Sequence, residues 1–272
     1  CRRHLFLFFV KLSTSYGCGL PTYPPVLTRV VGGDDVREHS WPWQVKKKKK
    51  TLSLQILPIP SVLSFSPFAQ TFLFYCCLVR ILPHLNYISV SIRHSVCKSG
   101  PFFFSSNDIA LIKLSTPVKL SNTIMPACLP PSGQVLPHDS PCYVTGWGRL
   151  WTGGPIADIL QQALLPVVGH STCSRPDWWG SLVTNSMVCA GGDGQLASCN
   201  GDSGGPLNCQ TSDGSWDVVG VVSFGSSMGC NYPKKPSVFT RVSAYMSWIN
   251  NVRATRHHIL LVKPVKPEPL NH

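Results

Sequence analysis

Cys199-Asn200-Gly201-Asp202-Ser203-Gly204-Gly205-Pro206 is the stretch on which the reading of this chain turns. A serine in a loop is ordinarily just a solvated residue. Here it stands beside an aspartate, inside a turn built from three glycines and closed by a proline. Working outward, residues 18–45 and 105–252 read as a β-protein. Short apolar runs such as Ile109–Leu114 and Val218–Phe224 are separated by Gly, Pro, Asn and Ser turns. One helix is expected, over Val242–Val252, where Val242, Tyr245, Met246 and Ile249 recur at helical spacing. Many short strands with almost no helix favour β-barrels or a sandwich, and no internal repeat is present.

The octapeptide resembles the nucleophile loop of the chymotrypsin-like serine protease family, peptidase S1. The roles that follow are what this resemblance implies. Ser203 attacks the scissile carbonyl through Oγ. The backbone N–H groups of Gly201 and Ser203 form the oxyanion hole. Glycine at 201 lets the backbone turn without a Cβ clash, and Gly204 and Gly205 keep the loop compact beside substrate.

Upstream, Arg29-Val30-Val31-Gly32-Gly33, followed by Ser40-Trp41-Pro42-Trp43-Gln44-Val45, resembles the family's zymogen cleavage site. Cutting after Arg29 by a trypsin-like protease frees the amine of Val30. By resemblance, that ammonium buries itself against the carboxylate of Asp202 and orders the oxyanion loop. Asn107-Asp108-Ile109-Ala110-Leu111 resembles the family's aspartate motif. Taken alone, Asp108 reads as an aspartate at a strand entry. Ninety-five residues ahead of Ser203, it takes the role of orienting the histidine and stabilising its imidazolium.

The histidine itself is missing. The family places it before the aspartate in an Ala-Ala-His-Cys motif, and no such motif occurs here. Between Val45 and Asp108 the only histidines are His84 and His94, and neither is followed by cysteine.

By the same resemblance, the specificity pocket has Ala197 and Ser198 at its base. Ser223, Phe224 and Gly225 form one wall and Ser237 the other. With no aspartate at the base, a Lys or Arg side chain finds no partner, so trypsin-like cleavage is not expected. Gly225 leaves the mouth open to medium and large apolar side chains. Within the family, Thr22-Tyr23-Pro24-Pro25, Tyr143–Arg149, Trp178-Trp179-Gly180 and Cys230-Asn231-Tyr232 resemble the elastase-2 type most closely. Ala197 departs from the serine expected there. The resemblance also implies four disulfides: Cys18 with Cys128, Cys142 with Cys209, Cys173 with Cys189, and Cys199 with Cys230. No cofactor is expected, no metal-ligating residue is assigned, and the loop that would bear calcium falls within 46–104.

The 272 residues are 43% hydrophobic and include twelve cysteines, which points to a sizeable core and an oxidising compartment. A net charge of +12 would suggest nucleic acid or an anionic surface. Its distribution argues against that. Segments 1–17, 46–104 and 253–272 hold 15 of the 24 Lys and Arg but one of the 12 acids. Residues 18–45 and 105–252 together carry a net −2.

Those three segments also hold ten of the twelve phenylalanines, and 46–104 opens with five lysines, Lys46–Lys50. Pyrimidine-rich DNA translates into Phe, Leu and Ser, and A-rich DNA into Lys. The segments are therefore read as translated non-coding sequence in a faulty gene model. Transcripts that encode 46–104 intact would end that reading. A rival reading of the same stretch is a membrane span over Ser61–Val79, 19 residues without a charge, weakened by Pro67 and several serines. Leu5–Val10 after Arg2-Arg3 faintly resembles a signal-peptide core, and the absence of an opening Met suggests that the start lies upstream.

The expected architecture is all-β: two packed six-stranded antiparallel barrels and a C-terminal helix, the first barrel incomplete. The expected order is a signal-like remnant over 1–17, a propeptide over 18–29, and a peptidase domain over 30–252 with 46–104 replaced. An anomalous tail follows over 253–272. The implied protein is a secreted endopeptidase acting on proteins and peptides. Its expected partners are an activating trypsin-like protease and protein inhibitors. The alternative is a catalytically inactive homologue.

Overall fold

The computed structural model describes residues 6–8, 17–26, 33–46, 88–93, 107–114 and 118–255. Arg29, Val30, His84, His94, Ser61–Val79 and the cysteines at 1, 76, 77 and 97 lie outside the described residues.

The strands in chain order are β1 Phe6–Phe8, β2 Asp34–Asp35, β3 Gln44–Lys46, β4 Ile88–Arg93, β5 Ala110–Leu114, β6 Cys142–Gly146, β7 Gln161–Leu164 and β8 Val167–Val168. They continue with β9 Met187–Ala190, β10 Pro206–Gln210, β11 Trp216–Phe224 and β12 Ser237–Arg241. Eight of them form one curled antiparallel sheet in the order β2-β7-β6-β10-β11-β12-β9-β8. Two further pairs, β1 with β3 and β4 with β5, stand apart from it. The fold is mostly β and of the trypsin type. Among the described residues the second barrel is represented by the large sheet, and the first only by fragments.

Helix is scarce, as the turn-rich sequence requires. A four-residue helix α1 spans His170–Cys173. The expected C-terminal helix is a 3₁₀ turn, Val242–Tyr245, running into α2, Met246–Thr255. Its Val242, Tyr245, Met246 and Ile249 are all buried in the core, as their spacing predicted.

Composition set 46–104 apart as one block, and the backbone divides it. Residues 88–93 pair antiparallel with Ala110–Leu114, from Ile88 opposite Leu114 to Arg93 opposite Ala110. An alternation such as Ile88-Ser89-Val90-Ser91-Ile92 needs neither acids nor turns to make a strand.

The core has two main parts. One is the curled sheet's interior, filled by Val144, Leu165, Val167, Leu207, Val219, Val222 and Phe239. Glycine is required at 220, where an added Cβ would lie 2.9 Å from Phe239 Cβ. The other is aromatic: Trp41 meets Trp216 edge-on at 4.8 Å and Trp43 edge-on at 5.7 Å. Both indoles find buried acceptors, Trp41 Nε1 at Gln162 Oε1 (3.0 Å) and Trp43 Nε1 at Asn208 Oδ1 (3.0 Å).

All four expected disulfides are present: Cys18–Cys128, Cys142–Cys209, Cys173–Cys189 and Cys199–Cys230. The first holds residues 17–26 against the body. The Gly19 N–H donates to Pro126 O, the Trp216 N–H donates to Gly19 O, and Gln162 Nε2 donates to Val26 O. Among the described residues, no helix is long and apolar enough to cross a membrane.

One buried acid gives the fold a pH signature. Asp217 on β11 is only 6% exposed, and burial, aided by the charge of Asp213, pushes its carboxyl up to about 6. The folded chain therefore holds this proton more tightly than the unfolded chain does. Stability should fall as pH rises from about 4 through about 6 and stay lower above that. Asp202, also raised by burial, acts in the same direction. Asp217→Asn should remove part of the slope and raise stability at pH 8 by about 1–2 kcal/mol, read from denaturant melts at pH 4 and pH 8. An unchanged slope would exclude Asp217 as its source.

Candidate active site

The nucleophile loop is held on both sides. Gly201 and Gly204 take φ of +110° and +82°, which only glycine adopts without strain. On one side, the Gly204 N–H donates to Val222 O (2.9 Å) and the Val222 N–H to Gly205 O (2.9 Å), tying the loop to β11. On the other, the Arg149 N–H donates to Asn200 O (3.0 Å). Asp202 turns inward and is buried, while Ser203 is exposed at the tip.

Asp202 shows how tightly the loop is built. Its Oδ1 accepts from Gly148 N (2.7 Å) and its Oδ2 from Cys199 N (2.8 Å). Burial raises its pKa, and the two amide hydrogen bonds oppose that rise. Glycines at 146 and 148 are obligatory, since a Cβ at either would run into this carboxyl group. The expected Val30 partner lies outside the described residues. Among those residues, the Gly201 and Ser203 amides donate to no backbone carbonyl.

Asp108 reaches the same strand. Ser223 Oγ donates to Asp108 Oδ2 (2.8 Å), and Thr240 Oγ1 donates to the Asp108 carbonyl (2.9 Å). Ser223 can do this because it sits at a register shift. Val222 faces Phe239 and Phe224 faces Val238, so the residue between them falls out of the ladder. Asn107 supplies the approach. It adopts φ +68°, uncommon outside glycine, and its Oδ1 accepts from Tyr245 Oη (2.8 Å). The loop bearing Ser203 and the residue Asp108 are thus fastened to consecutive residues of β11, Val222 and Ser223.

The expected pocket residues also converge. Ser198 donates to Ser237 Oγ twice, from its N–H and from its Oγ, both at 2.9 Å. Cys199–Cys230 ties this floor to the loop after Phe224. Phe224 packs edge-on to Trp179 at 5.3 Å, and Trp179 Nε1 donates to Pro236 O (2.9 Å). Gly225 is exposed, and an added Cβ there would meet nothing within 4 Å. Ala197, expected at the base, is half-buried.

Several positioning residues escaped the sequence reading. Thr240, Tyr245, Asn107 and Gly148 all hold site residues, and Ser223, read only as a pocket wall, grips Asp108. Asn107 and Gly148 lie inside quoted motifs and Tyr245 on the helical stripe, but no local pattern assigns any of them its partner. The Val222–Phe224 register shift that aims Ser223 appears only once β11 and β12 are paired.

The family model described as Trypsin matches residues 80–249. Chymotrypsin-C of Rattus norvegicus is 52% identical over 86% of this chain and 92% of that protein. Chymotrypsin-C of Bos taurus is 48% identical over 90% and 96%, respectively. Chymotrypsin-like elastase family member 3B of Homo sapiens is 44% identical over 92% and 97%. The narrower elastase-2 likeness rests on the sequence motifs alone. The match from residue 80 takes in β4, in keeping with its pairing to β5. Matched by the family model over more than half its length, the chain belongs to the trypsin family of serine endopeptidases, peptidase S1.

Proposed function

We propose that the chain is built as a secreted, zymogen-type endopeptidase that cleaves proteins after medium to large apolar residues. In this reading Ser203 is the nucleophile, Gly201 and Ser203 amides receive the oxyanion, and Asp108 orients the base. The pair of fastenings on β11, Val222 to the Ser203 loop and Ser223 to Asp108, supports it best. Cleavage after Arg29 by a trypsin-like protease sends the Val30 ammonium to Asp202. An ammonium there would offset the cost of burying that carboxylate. Protein inhibitors that mimic substrate bind the same cleft.

A second reading has its own observation. No Ala-Ala-His-Cys motif lies between Val45 and Asp108, so the chain as written is an inactive homologue unless a transcript restores that segment.

The pocket can be tested without catalysis. Canonical-loop inhibitors carrying Leu, Met or Phe before the scissile bond should bind at least about tenfold tighter than those carrying Lys or Asp, because a buried charge finds no partner. Gly225→Val should erase most of that binding by closing the mouth. Equal binding of Leu and Lys forms in calorimetric titration would refute the specificity.

A further inference from the structure

We propose that Asn200 is a modification site: its side-chain amide is lost spontaneously to the backbone nitrogen of Gly201, and the isoaspartyl product moves the Gly201 N–H. The modification stands apart from the protease reading. Its consequence for the oxyanion hole rests on that reading.

The chemistry needs no enzyme, asparagine being a thermolabile residue. The Gly201 nitrogen attacks Cγ of Asn200 and gives up its proton to solvent. The bond from Cγ to the side-chain nitrogen breaks, and ammonia leaves. A five-membered succinimide remains. Water opens it at either carbonyl, giving aspartate or isoaspartate at 200. Nothing is oxidised or reduced, and water is the co-reactant.

Three things slow this reaction in a folded chain: a side chain on the next residue, an attacking N–H locked in a helix or strand, and burial. Asn200 has none of them. It is exposed and lies in a turn outside every helix and strand. Its successor is glycine, with no Cβ to shield the nitrogen. Among the described residues, the Gly201 N–H donates to no backbone carbonyl. No other asparagine of the chain precedes a glycine. Asn208 is buried on β10, and Asn250 and Asn251 lie within α2. The two Asp-Gly pairs could close the same ring, but their carboxylates have other partners. Asp193 Oδ1 accepts from Gln195 N (2.9 Å) and Asp213 Oδ1 from Ser215 N (3.0 Å).

The product matters because the loop has no slack. Asn200 O accepts from Arg149 N (3.0 Å) and Gly204 N–H donates to Val222 O (2.9 Å), so the run between them is fixed at both ends. Within it, a Cβ added at Gly201 would lie 3.0 Å from Gly148 Cα. Isoaspartate sends the main chain through Cβ and Cγ, one carbon longer, and turns the Asn200 carbonyl into a free carboxylate. The extra methylene finds no room on the Gly148 side, so the Gly201 N–H leaves its place. Plain aspartate keeps the path and adds a negative charge two residues from Asp202.

The test ages the full, disulfide-bonded chain at physiological temperature. Peptide mapping by mass spectrometry locates converted asparagines, and isoaspartyl methyltransferase with labelled S-adenosylmethionine counts isoaspartate. Asn200 should convert first among the described asparagines. It should convert about tenfold faster at pH 8 than at pH 7, because the deprotonated amide is the nucleophile. Its rate should stay within about tenfold of that in a synthetic 199–206 peptide, since no ladder hydrogen bond protects it. Asn200→Gln, which must close a larger ring, should remove the signal. An Asn200 that stays intact while the peptide converts, or isoaspartate found only elsewhere, overturns the proposal. Conversion to isoaspartate should weaken a Leu-bearing canonical-loop inhibitor about tenfold, the loss of one hydrogen bond to its carbonyl. Conversion with unchanged binding overturns the stated consequence and counts against Gly201 as an oxyanion donor. If the inhibitor binds neither fresh nor aged chain, the protease reading falls, while the modification, read by mass, stands.

Discussion

Cleaved after Arg29 and offered a peptide with Leu, Met or Phe before the scissile bond, the chain turns over about 10⁴ to 10⁶-fold more slowly than a version whose 46–104 segment is exchanged for a family segment bearing Ala-Ala-His-Cys. That factor is the usual cost of losing the base from a triad, because a serine hydroxyl unaided is a poor nucleophile. Two of the proposed parts are fastened to one strand. Ser203 is exposed on a loop tied to β11, and Asp108 is gripped by Ser223 one residue along. Neither His84 nor His94 carries the cysteine that follows the family's histidine. Steady-state hydrolysis measures the difference, and fluorophosphonate labelling checks it independently. Slow labelling of Ser203 is expected in the chain as written, with rapid stoichiometric labelling only in the exchanged version. Fast labelling of both would mean that another group activates Ser203.

Trp43→Ala should be the most damaging single core change, costing about 3–5 kcal/mol of stability by loss of a large buried side chain. Trp43 is fully buried and edge-on to Trp41. Its indole N–H is bonded to Asn208, itself fully buried on β10. Removing the ring also leaves the Asn208 oxygen without that donor, which adds about 1–3 kcal/mol. Trp43→Phe should restore much of the packing and none of the hydrogen bond, so it should fall between the two. Chemical denaturation midpoints would show this order. A Trp43→Phe variant as unstable as Trp43→Ala would shift the weight from packing to the hydrogen bond.

The proposed site is legible in the sequence because the residues assigned to its chemistry sit in contiguous motifs. The Cys199–Pro206 stretch carries the proposed nucleophile, and Asn107–Leu111 the proposed aspartate. The helical spacing of Val242, Tyr245, Met246 and Ile249 located both a helix and part of the core. The disulfide pairings came from family likeness, since spacing alone leaves many connectivities open.

What stayed hidden depends on contacts far apart in the chain. Ser223 grips Asp108 only because β11 slips register against β12, and no local pattern encodes a slip. Asp202 is stabilised by amides at 148 and 199, one of them 54 residues away. Residues 46–104 show the converse failure. Their composition looks foreign throughout, yet Ile88–Arg93 pair antiparallel with β5, with one register shift between Ile88 and Val90, because strand pairing asks for alternation and a partner rather than a balanced charge.

The separation of Ser203 from Asp108, measured crystallographically, is the deciding quantity. A single imidazole hydrogen-bonded to both groups would span roughly 7–8 Å between Ser203 Oγ and the nearer Asp108 oxygen. That separation is expected across an open cleft, with Ser223 Oγ still bonded to the aspartate. Finding the two groups on surfaces that share no cleft, too far apart for one ring to bridge, would contradict it.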